Sequence, residues 1–66
     1  MEKIYSFKNL INGRVCIVRE QDLNSKDNLV LLYEDIHNDG NAYPMNYITL
    51  NALHSDFECL GELERR

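Results

Sequence analysis

The chain has 66 residues, 44% of them hydrophobic, with two cysteines and eleven acidic residues against seven basic ones, a formal net charge of −4. A chain this short makes one domain, residues 1–66, that buries only about 60% of its unfolded surface and is marginal alone unless a disulfide, a metal or a partner subunit adds to it. Cys16 and Cys59 do not make a disulfide framework, no apolar leader or membrane-length run is present, and the Lys and Arg residues are too scattered for phosphate binding. The expectation is a cytoplasmic protein that makes no direct contact with nucleic acid or membrane.

The first element is Ser6–Gly13. Phe7, Leu10 and Ile11 fall at i, i+3 and i+4, with Ser6 placed as N-cap and Gly13 just past the end, which favours a short helical segment. The alternative is a hairpin turn at Asn12-Gly13 joining Tyr5–Ile11 to Arg14–Arg19. Arg14-Val-Cys-Ile-Val-Arg19 predicts a strand, four apolar or β-branched residues bounded by charge. Glu20–Asp27 is a polar loop around Leu23.

Asn28–Tyr33 is a continuous apolar run, closed by the turn cluster His37-Asn-Asp-Gly-Asn41, and Tyr43–Leu50 carries the chain back. Pro44 cannot donate to a ladder, so its strand is interrupted there or lies on an edge. Near the end, Leu50, Leu53, Phe57 and Leu60 have helical spacing, but Asn51, His54, Ser55, Asp56 and Gly61 are poor helix residues. A loop over Asn51–Asp56 and a strand over Phe57–Leu63 is the preferred reading. Val15, Ile17, Val30, Leu32 and Ile48 are the expected core.

These elements predict a mainly β fold, a small strongly curled antiparallel sheet or SH3-like barrel of about four to five strands with one short helical segment.

Little in the sequence points to a reaction. Asp35-Ile-His-Asn-Asp-Gly40 is similar to the first half of a calcium loop, but His37 stands where an oxygen ligand belongs and Asn46 where the closing glutamate belongs. Cys16, Cys59, His37 and His54 lack the close pairing of zinc ligands. Cys16 lies in an apolar strand and Cys59 among acidic neighbours, neither of which activates a thiol. Glu34 and Asp35 are adjacent in a strand and face opposite sides, so they form no carboxylate dyad. Non-enzymatic action without cofactor or metal is therefore expected.

Binding is the better fit. No Lys or Arg occurs between Lys26 and Arg65, and the acidic residues there favour a basic protein surface. Tyr43, Met45 and Tyr47 alternate, a spacing that can put them on one face; Tyr and Met are enriched at interfaces, and the alternative, which the small size of the domain favours, is that these rings complete an under-sized core. The expected partner-binding set is Glu34, Asp35, Asp39, Tyr43, Met45 and Tyr47. A short acidic chain of this kind has the size of phage and mobile-element accessory proteins that block a host protein. The second expectation is a homodimer or higher oligomer that binds a small ligand, such as a nucleotide, at its subunit interface.

Leu31-Leu-Tyr-Glu-Asp35 resembles the A-L-Y-D-Y motif of eukaryotic SH3 domains, and Pro44-Met-Asn-Tyr-Ile48 resembles their P-S-N-Y-V motif, whose Pro and Tyr help line a proline-rich-peptide groove. The motifs are in the family's order but stand much closer together than in an SH3 domain, and the groove Trp has no counterpart. The resemblance covers two short pieces and implies a similar local turn. It assigns no family.

Overall fold

The computed structural model describes residues 3–63. Glu64, Arg65 and Arg66, the end of the acidic stretch and the basic tail, lie outside them. The described residues form one antiparallel sheet of five strands in the order β4-β3-β2-β1-β5. The strands are β1 Ile4–Asn9, β2 Val15–Arg19, β3 Leu29–Glu34, β4 Tyr43–Thr49 and β5 Phe57–Leu63. Helices α1 (Glu20–Leu23) and α2 (Leu50–Asp56) join β2 to β3 and β4 to β5. The mainly β architecture expected from the sequence is present, and its first and last strands pair with each other.

The N-terminal segment is a hairpin, not the helical turn the apolar spacing favoured. Asn9 and Asn12 decide this. The Asn9 side chain accepts from Ile11 N at 2.8 Å, and Asn12 Oδ1 accepts from Arg14 N at 2.9 Å. Two such side chain–backbone bonds build a turn locally, which Gly13 completes at φ +75°. Leu10 and Ile11, the supposed buried face, are 59% and 81% exposed. Phe7 instead enters the core opposite Cys16.

That register also corrects the face of β2. Opposed residues share a face, so Phe7↔Cys16 and Tyr5↔Val18 put Cys16 and Val18 inside. Val15 is half-exposed and Ile17 lies with it on the outer side, contrary to expectation. A run in which every residue is apolar cannot set its own phase, and a one-residue change of phase turns every side chain over. Val30 and Leu32 are buried as expected, and Ile48 packs partly buried against them.

The last correction concerns residues 50–56. The leucine spacing wins: α2 is a helix capped by Thr49, whose Oγ1 accepts from Ala52 N at 3.1 Å. Its one fully buried residue, Leu53, covers the inner face of the sheet. Phe57 then begins β5, the strand expected there. In the polar segment after β2, α1 forms a single helical turn. Asp22 there accepts from both Arg19 Nη2 and Leu31 N, and Leu23 packs on the core. No ladder joins β4 to β5 among the described residues, so the sheet curls without closing.

Candidate functional site

Most of the expected site residues lie in the β3–β4 hairpin, residues 34–43, which is held by its own carboxylates. Asp35 accepts from Asp39 N at 2.9 Å through Oδ1 and from Gly40 N at 3.0 Å through Oδ2. This is what the calcium-loop pattern does here: its first acidic side chain binds the loop's own backbone. Asn38 at φ +54° and Gly40 at φ +82° allow the bend, a conformation that Asn and Gly tolerate best. Asp39 in turn accepts from Asn41 N at 3.0 Å and from the Tyr43 hydroxyl at 2.7 Å. Those bonds hold the Asp39 carboxyl below the ordinary aspartate range, the tyrosine contributing most, and push Tyr43 upward. The His37 ring meets the Tyr43 ring edge-on, 4.9 Å between centroids.

Glu34 sits at the base of this hairpin and binds Arg14 Nη2 at 2.7 Å across the sheet. Of the expected acidic residues, Asp35 and Asp39 remain exposed, whereas Glu34 is largely screened by its neighbours. All three charges therefore have internal work, and only the hairpin pair presents itself outward.

The tyrosine–methionine row does not share a face. Register runs Leu31↔Tyr47 and Leu32↔Asn46, then jumps to Tyr33↔Pro44, which leaves Met45 as an extra residue in β4. Such a bulge reverses the alternation beyond it. Tyr43 falls on the inner side with Glu34, and Met45 lines a cleft on that side. Tyr47 falls on the outer side with Leu31. Sequence gives no signal for the bulge apart from Pro44, whose missing N–H makes regular pairing unprofitable there.

The cleft, of about 380 Å³, was not expected from the sequence. It opens between the β1–β2 turn, β4 and the C-terminal end of α2, where Leu10 N donates to Asp56 O at 2.9 Å. Cys16, Leu32 and Ile48 are among its apolar lining residues, and Asn9, Asn12, Arg14, Asn46 and Asp56 are among its polar ones. The Cys16 thiol is no nucleophile, since burial, with Glu34 adding to it, pushes it up to about 11. Among the described residues no three His, Cys, Asp or Glu side chains converge as a metal site would require. His37, His54 and Cys59 are exposed, each on a different element. No helix among the described residues is long and apolar enough to cross a membrane.

No family model, curated protein or solved structure matches this chain.

Proposed function

We propose that this protein is a small non-enzymatic binding module that works in the cytoplasm by occupying a basic surface of another protein. Its role is that of an accessory inhibitor of the kind phages and mobile elements use against host proteins. The observation that carries this reading is the self-braced acidic hairpin. Asp35 and Asp39 rigidify residues 35–43 by hydrogen bonds to the loop itself while staying exposed. A loop ordered beforehand loses less entropy on binding. Met45, 42% exposed beside the hairpin, gives the acidic tip an adjacent apolar contact.

The test uses a partner identified by affinity capture and then purified. Its complex with the chain should be saturable, with an association rate that falls steeply as salt is added. Asp39→Lys reverses charge at the tip and should slow association about tenfold at low salt, with a smaller effect at high salt. Glu62→Lys, on β5, serves as the control and should have the smaller effect. Association that ignores salt, or that speeds up in Asp39→Lys, refutes the proposal.

A further inference from the structure

Across β2, β3 and β4 the outer face of the sheet is largely apolar, and neither described helix packs over it, since Leu23 of α1 and Leu53 of α2 join the core on the inner side. Ile17 opposes Tyr33, and Leu31 opposes Tyr47, on the side away from buried Val18, Val30 and Leu32. Val15 and Leu29 extend the same surface along β2 and β3. Tyr47 is 65% exposed, Val15 50% and Leu29 47%, and Ile17, Leu31 and Tyr33 are half-buried. Two cations border this patch. Arg19 lies with its guanidinium carbon 5.3 Å from the Tyr33 ring centroid and is paired with Asp22, and exposed Lys8 opposes Val15 on one side and Glu58 on the other. Each cation thus has an acidic neighbour and stands at the patch's edge. The cleft and the acidic hairpin belong to the other side of the sheet or to its end, so this patch is separate from the surface of the proposed function.

We propose that this face docks a second copy of the chain, forming a two-fold dimer in which the two patches pack as facing sheets. The area fits a weak dimer. Three strands at ~4.8 Å spacing and five residues at ~3.4 Å rise give a footprint of about 14 by 17 Å. With side-chain relief roughly doubling that footprint, the two copies together bury about 1,000 Å², the lower bound for a specific interface. The fold also gains from the burial, because the buried apolar core among the described residues is small: Phe7, Cys16, Val18, Val30, Leu32 and Leu53, of which Val18, Val30 and Leu53 are fully enclosed. The cleft lies on the inner face and is no part of this patch. A sheet face of matching width and polarity is what covers such a surface, and a second copy supplies one by symmetry.

Sedimentation equilibrium from about 5 μM to 1 mM tests this. The mass should rise with concentration from 7.8 kDa towards twice that value and go no higher. Tyr47→Asp and Val15→Asp each alter an exposed side chain of the patch and should hold the mass at 7.8 kDa throughout. Leu60→Asp, at a 51% exposed position on β5, should dimerise as the parent does. Melting of each variant at 5 μM should match the parent, which separates lost association from lost folding. A parent that stays at 7.8 kDa up to 1 mM, or a dimer that survives both patch substitutions, overturns the proposal. Partner binding, measured at 5 μM where the chain is monomeric, stands or falls independently of this result.

Discussion

Replacing Val18 by Ala asks directly which face of β2 is buried. Val18 is fully enclosed, opposite Tyr5 in the ladder. The change removes two carbons, and at ~0.8 kcal/mol per buried methylene the lost transfer free energy is about 1.6 kcal/mol. The space left, ~40 Å³, adds about 1 kcal/mol at ~24 cal/mol per Å³. A total near 2.5 kcal/mol is a large part of the ~3–10 kcal/mol expected for a chain of this length. Ile17→Ala removes one carbon more, but from a half-buried side chain on the outer face, so ~1 kcal/mol is expected. Urea denaturation at about 5 μM keeps self-association out of the measurement. With a slope near 1 kcal/mol/M, the midpoint should fall by about 2.5 M for Val18→Ala and by about 1 M for Ile17→Ala. If Ile17→Ala costs as much as Val18→Ala, the assigned face of β2 is wrong, and the outer patch loses one of its central residues with it.

Two further outcomes follow from the protonation states. The Tyr43 hydroxyl and the Asn41 amide hold the Asp39 carboxyl below its ordinary range, so its contribution is complete above the unfolded value and is lost as pH falls through the folded one; backbone amide signals of residues 39–43 should shift together on acidification, with a midpoint below that of an ordinary aspartate, and the joint shift should vanish in Asp39→Asn. Cys59 is exposed, whereas Cys16 is buried with its pKa pushed up to about 11, so a thiol reagent at pH 8 should label Cys59 alone in the native protein and both cysteines after unfolding; fast native labelling of Cys16 would contradict its placement.

What the sequence made legible followed from pattern contrast. Where apolar runs are bounded by turn residues, as at Leu29–Glu34 and Tyr43–Thr49, strands and hairpin could be read directly. Where every residue in a run is apolar, as in Val15-Cys16-Ile17-Val18, periodicity is silent about the face, and the partner strand decides. Asn12-Gly13 offered one possible turn signal, but the reach of the Asn9 and Asn12 side chains to nearby backbone groups, which settles the turn, is a matter of geometry. The acidic site residues were found by charge alone, which located Asp35 and Asp39 but could not show that both are engaged in bracing the hairpin. The cleft depends on the β1–β2 turn meeting α2, a contact between residues far apart in the chain.

The two open edges of the sheet bear on how the chain can associate. Among the described residues, strands β4 and β5 each lack a neighbour on one side, the usual route to uncontrolled pairing. Both edges are irregular: Pro44 and the extra Met45 interrupt β4, and β5 shifts register against β1 between Ser6 and Phe7. Glu58 and Glu62 add charge along β5. A strand that pairs in register with another edge needs several consecutive free donors and acceptors in a flat run, and neither edge offers a long one. Association is thereby directed away from the edges and onto surfaces that side chains define. The Met45 bulge sorts those surfaces, placing Met45 and Tyr43 with the cleft and the acidic hairpin and leaving Tyr47 to the outer face. One extra residue in β4 thus separates the surface proposed for a basic partner from the one proposed for a second copy, and on those two proposals neither occupant competes with the other.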